Sequence, residues 1–156
     1  LAARASDGPR VRVAAVIPYE DGLLLVRQSK GGEPYYLLPG GGVESDETLA
    51  DALAREVAEE TGLSCAIVRP LFINDTIDPA GGRRHLVNIT FLAETTGGAL
   101  IARPTDPTIE GVETVAVDDL GELDLRPPIA DVLIAAARER YDVPARYLGP
   151  VWTDER

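Results

Sequence analysis

Glu56, Glu59 and Glu60 are the residues of this sequence whose type and spacing could do chemistry together. On a helical wheel they share an arc of roughly 100°, with Leu53 and Val57 forming the apolar stripe directly beside it. Like charges three and four residues apart repel by a few tenths of a kcal/mol per pair, and by more as water is excluded. Folding gains nothing from such a trio. A hard divalent cation such as Mg²⁺ does, because it takes oxygen ligands in an octahedron and keeps some waters. Arg55 stands four residues before Glu59 and four after Asp51, within reach of either carboxylate. Just upstream, Leu38-Pro39-Gly40-Gly41-Gly42-Val43-Glu44 places a glycine turn before the helix. Glycine lets a backbone group approach an ion or phosphate closely. No Gly-Lys-Ser/Thr follows, so this is not a Walker loop. Taken alone, the cluster also fits a solvated helix face, and the glycines a sharp strand-to-helix turn.

The elements that must position these residues read as follows. Val11 to Pro18 and Leu23 to Val26 are apolar strands, separated by Tyr19-Glu20-Asp21-Gly22 with its hairpin-forming Asp-Gly pair. Tyr35 to Leu38 is a third strand, stopped by Pro39 and the glycines. Thr48 caps the glutamate helix, with Asp51 three residues on, and Gly62 ends it. Ser64 to Asn74 reads as a strand interrupted by Pro70, Arg84 to Ala93 as an alternating strand, and Gly111 to Val117 as another. A second helix opens at Pro127-Pro128 and runs from Ile129 to Arg140. The tail Tyr147 to Arg156 is too short to assign, and Trp152 is expected to pack on the body or on a partner. The N-terminal residues 1–10 are expected to be flexible, ahead of one domain over 11–156.

Composition narrows the function. The 156 residues carry 15 Lys+Arg against 26 Asp+Glu, a net charge of −11. Such an excess repels phosphate backbones and argues against a nucleic-acid partner. No apolar run approaches the roughly 20 residues a membrane span needs. The lone cysteine, Cys65, allows no internal disulfide and reads as a small buried hydrophobe, so a cytoplasmic setting is expected.

Together these residues carry a family resemblance. From Gly41 the spacing is five residues, Glu47, seven residues, then Arg55-Glu56-Val57-Ala58-Glu59-Glu60-Thr61-Gly62-Leu63. This resembles the Nudix box, G-x5-E-x7-R-E-U-x-E-E-x-G-U, at every fixed position. The resemblance implies an α+β fold, an α/β/α sandwich with a mixed sheet flanked by helices. It also implies hydrolysis of a diphosphate linkage in a nucleoside diphosphate derivative, with Mg²⁺ as cofactor and Mn²⁺ as a substitute. By similarity, Glu56, Glu59 and Glu60 are the metal ligands, Glu47 is an outer ligand, and Arg55 orients a box glutamate. The resemblance also implies that Gly41, with Gly40, forms the loop whose backbone carbonyl can join the metal. Family members often pair as homodimers, which makes a dimer an expectation here.

The box leaves the general base open. Glu56 or Glu59 could serve, or an acidic residue of the later loop, where Glu110 is the choice and Glu113 the next. His85, the only histidine, reads as an edge residue. Arg83 and Arg84 are candidates to meet substrate phosphate, on opposite strand faces, and Arg27 could do so from the sheet. Pro79, sixteen residues past Leu63, tips the substrate slightly toward ADP-ribose or a nucleotide sugar. The rival readings are a nucleoside triphosphate pyrophosphohydrolase and a nucleotide-sensing module without turnover. The Asn88-Ile89-Thr90 sequon lies inside an expected strand and reads as accidental.

Overall fold

A computed structural model of the chain describes residues 8–81, 84–102 and 104–152. Of the N-terminal stretch expected to be flexible, residues 1–7 lie outside these, and Arg10 already belongs to the first strand.

Nine strands and two α-helices are described: β1 (Arg10–Val16), β2 (Pro18–Tyr19), β3 (Gly22–Lys30), β4 (Glu33–Leu37), β5 (Gly40–Gly42), α1 (Leu49–Thr61), β6 (Leu63–Ile77), β7 (His85–Gly98), β8 (Ile109–Val115), α2 (Ala130–Arg138) and β9 (Arg146–Pro150). A short 3₁₀ turn, Val117–Glu122, precedes α2. The mixed sheet expected from the family resemblance is divided in two. A five-stranded mixed sheet has the order β5-β1-β7-β6-β9, and in a second sheet β3 pairs with β2, β4 and β8, each antiparallel.

The alternation of β1 and β3 makes the sandwich. Val13, Ala15, Ile17 and Leu24 face α1, where Ala52, Leu53 and Val57 complete one core. Ala14, Val16, Leu23 and Leu25 face the other way, onto Ile129, Leu133 and Ala136 at α2. Leu53, Val57 and Leu133 are fully buried, each contributing roughly 1.5–3 kcal/mol relative to exposure. Among the described residues, no helix is long and apolar enough to cross a membrane.

Several sequence expectations need correction. The tight turn between β2 and β3 is centred on Glu20-Asp21, with Glu20 at φ 49°, and Gly22 begins the strand. Gly22 is required there for another reason: a Cβ would lie 2.2 Å from the Val115 carbonyl oxygen on β8. The glycines 40–42 form no turn. They pair antiparallel with β1, and a Cβ at Gly40 would lie 2.1 Å from the Val13 carbonyl oxygen. Pro70 does not interrupt β6, because irregularities in register on both sides of it absorb its missing N–H. Residues 147–150 of the tail belong to β9, which pairs parallel with β6.

Candidate active site

Helix α1 presents its glutamates because both of its ends are fixed. The Thr48 hydroxyl accepts the Asp51 N–H at 3.0 Å. At the other end Gly62 adopts φ 81° and donates its N–H to Ala58. Buried Leu53 and Val57 then set the rotation of the helix, which leaves Glu56 and Glu60 turned toward β5 and β1.

A cavity of about 220 Å³ opens there, between the two sheets, lined by Glu56, Glu59, Glu60, Asp106, Gly41 and Arg12 among others. The Gly40 N–H donates to Glu60 Oε1 at 3.0 Å. Glu56 occupies the space a side chain on Gly41 would need, since a Cβ there would sit 2.4 Å from the Glu56 carboxyl carbon. Arg55 clamps the outer side. It donates to Glu47 at 2.7 and 2.9 Å, to Glu56 at 2.9 Å and to the Gly42 carbonyl at 3.2 Å. Glu59 lies 3.6 Å from the same guanidinium and is half exposed.

Electrostatics follow from burial. Glu60 is only 8% exposed. Desolvation pushes its carboxyl up to about 7, aided by Glu56 and Asp106 and opposed by the Gly40 N–H and Arg12. Burial pulls the Arg12 guanidinium below its usual range, while Glu60 and Glu56 hold it up. Glu47 is the opposite case: hydrogen bonds from Arg55, then from the Glu44 N–H, hold it down at about 2.

The Glu47–Arg55 clamp gives a direct prediction. A folded-state midpoint below the unfolded one favours the folded state above pH 4.5, and this contribution is lost as pH falls toward 2. Carboxyl-carbon NMR is expected to show Glu47 titrating near 2 in the wild type and moving back toward 4.5 in Arg55→Ala. An unmoved midpoint in that variant would remove Arg55 as the cause.

The donor set fits a divalent cation. Four carboxylates and a side-chain-free glycine face one cavity, and buried Glu60 lacks enough positive charge nearby to ionise fully at neutral pH. As they stand, no three His, Cys, Asp or Glu among the described residues converge tightly enough to form a coordination shell. Glu56 is turned to Arg55 and Glu60 to the Gly40 N–H. Binding therefore requires small carboxylate rotations away from these partners.

Not every residue singled out from sequence reaches this cavity. Glu47 is held by Arg55 and does not line it. Glu110 and Glu113 face Arg27 at 3.4 and 3.0 Å and line it no more than Arg27 does. The acidic residue that the loop before β8 does bring in is Asp106, whose carboxylate accepts from the Thr108 N–H and hydroxyl. Irregular loop sequence gave no periodic signal for it. Arg12 was also missed, although a cation on the strand face shared with Ala14 and Val16 is a legible anomaly. Arg83 lies outside the described residues. Arg84 lines a neighbouring cavity of about 200 Å³, with Trp152 in its wall. His85 sits 3.0 Å from Asp75 on β6, and Pro79 in the β6–β7 connection lines neither cavity. Cys65 is half-buried against the α1 core, and burial raises its thiol. Asn88 is buried.

Two sheets between two helices, with a glutamate helix docked on a glycine strand, define the Nudix class. The NUDIX domain profile matches residues 8–137, and the chain belongs to the NUDIX family. An ADP-ribose pyrophosphatase of Methanocaldococcus jannaschii is 35% identical over 95 residues, 60% of this chain and 56% of that protein. Phosphatase NudJ of Escherichia coli K12 is 45% identical over 56 residues, 36% of this chain and 37% of its own. The chain thus matches little more than half, or less, of these curated relatives. Among solved structures, an ADP-ribose pyrophosphatase of Streptococcus suis superposes with a TM-score of 0.69 at 25% identity, covering 90% of this chain and 99% of that one. A NUDIX hydrolase of Nitrosomonas europaea does so with 0.73 at 27%, covering 88% and 93%.

Proposed function

We propose that the protein is a divalent-cation-dependent hydrolase that splits the diphosphate linkage of a nucleoside diphosphate derivative, with ADP-ribose or a nucleotide sugar favoured. The observation that carries this reading is the meeting of Glu56, Glu59, Glu60 and Asp106 around one cavity at the Gly40–Gly42 strand. The similarity to two proteins named ADP-ribose pyrophosphatases supports the substrate choice.

Glu56, Glu59 and Glu60 would hold Mg²⁺, or Mn²⁺ in its place, with the Gly41 carbonyl completing the set. When bound, the cation supplies charge neutralisation of the diphosphate and lowers the pKa of a coordinated water. Arg55, anchored by Glu47, orients Glu56. Asp106, held by Thr108 and lining the cavity with the glutamates, would accept a proton from water. For that role the sequence left Glu56, Glu59 or a later loop carboxylate, Glu110 first, as candidates. Arg12, between the glutamates and the neighbouring cavity, is placed to hold a phosphate oxygen.

A screen of ADP-ribose, sugar nucleotides, dinucleoside polyphosphates and nucleoside triphosphates with Mg²⁺ tests the reaction. Turnover of none of them by a folded protein would refute it. Glu59→Gln is expected to lower kcat at least about tenfold. Because Glu59 is half exposed, its melting temperature should stay close to that of the wild type. Full activity in this variant would take Glu59 out of the ligand set.

A further inference from the structure

Gln28 reaches the glutamate cavity from β3, in the second sheet. The strand period of two puts it on the same face as Leu24 and Val26, both buried. A third apolar side chain would continue that face. In its place stands a partly buried carboxamide, whose burial costs free energy unless its polar atoms find partners.

Half of the carboxamide is fixed. Tyr35, the direct partner of Gln28 in the β3–β4 ladder, donates its hydroxyl to Gln28 Oε1. Tyr35 is braced in turn. The Arg126 guanidinium lies 4.2 Å above its ring and is bidentate to Asp124 at 2.8 and 3.2 Å. The Tyr36 N–H donates to the Asp124 carbonyl and the Arg126 N–H to the Tyr36 carbonyl, both at 2.8 Å, which pins that support beside β4. The other half of the carboxamide, Nε2, carries two N–H donors and has no partner among the described residues. Four carboxylates line the cavity, and their charge favours the amide orientation that turns these donors, and not Oε1, toward them.

We propose that Gln28 contacts the substrate, its Nε2 donating to a phosphoryl oxygen of the diphosphate, and that Tyr35 positions it. A diphosphate entering a cavity of four carboxylates needs donors for the oxygens that a cation does not take. Arg12 and Thr105 are the other described residues of the lining whose side chains can donate. Gln28 is neutral, so it supplies a donor without competing with the cation for the carboxylates, as a lysine or arginine at this position would. This assignment rests on the diphosphate-hydrolase reading and adds a substrate contact to it.

The test is NMR and calorimetry with α,β-methylene-ADP, a diphosphate that resists hydrolysis, in the presence of Mg²⁺. The side-chain amide resonances of Gln28 are expected to shift on binding, and Gln28→Leu to weaken binding about tenfold. Gln28→Glu keeps an acceptor for Tyr35 but replaces the donor by a further carboxylate, so its loss should be larger. Tyr35→Phe should weaken binding less than Gln28→Leu and add nothing when combined with it, because it acts through Gln28. Melting curves show which variants are folded, and Gln28→Glu suffices if Gln28→Leu is not. Wild-type affinity in a folded Gln28 variant, unmoved amide resonances, or no binding of the analogue would overturn the contact. A further loss from Tyr35→Phe on top of Gln28→Leu would overturn the part given to Tyr35. Binding with the expected Gln28 dependence by a protein that turns over nothing in the substrate screen would strike the hydrolase reading and leave the contact standing.

Discussion

Replacing Glu60 by Gln is expected to lower kcat/KM about 100-fold or more, while removing a pH dependence from the stability of the metal-free protein. Glu60 is the deepest of the box glutamates, and its folded midpoint of about 7 lies above the ordinary 4.5. Its sign therefore opposes that of Glu47. Between pH 4.5 and 7 the folded state keeps a proton that the unfolded chain has released, so stability falls as pH rises through this window. The loss attributable to this one group is about 3 kcal/mol at most. Denaturant unfolding in EDTA at a series of pH values should show this decline in the wild type and its disappearance in Glu60→Gln. A decline that persists in the variant would mean another group is responsible. Mg²⁺ requires the deprotonated carboxylate, so its affinity should rise with pH across the same range.

The second large effect concerns Arg12. Its guanidinium is partly buried, and Glu60 and Glu56 hold it charged against the cost of desolvation. Arg12→Leu removes a cation that lines both the glutamate cavity and its neighbour. Activity on any diphosphate substrate is expected to fall about 100-fold or more, and Glu60 should titrate above 7 because a charge lowering its midpoint is gone. Carboxyl NMR of Glu60 in wild type and variant measures the second effect independently of catalysis. A downward or absent shift would show that Arg12 is not coupled to Glu60. Arg12→Lys keeps the charge but not the planar fork, and should restore the titration more fully than the activity.

The net charge bears on the proposed polyanionic substrate. A net charge of −11 opposes phosphate approach. A divalent cation at the glutamates would reverse that sign locally. Arg12 lines both cavities.

The sequence by itself determined everything that is local. Thr48, Asp51 and Gly62 mark the ends of α1 by hydrogen bonds that span only a few residues, and Leu49, Leu53 and Val57 fix its buried stripe. The glutamate arc follows from helical period alone, and the box from Gly41 to Leu63 is one continuous stretch. Only the tertiary structure decided what faces that arc. Gly40 and Gly41 look like turn residues in isolation, but serve as a strand whose missing side chains admit the β1 backbone and Glu56. Arg12, Asp106 and Trp152 come from a strand, a loop and the tail, far apart in the chain. Asp106 and Trp152 reach two different cavities that share Arg12, because β8 pairs with β3 and β9 with β6. Strand pairing between distant segments is set by the packing of whole faces, and no short window of residues encodes it.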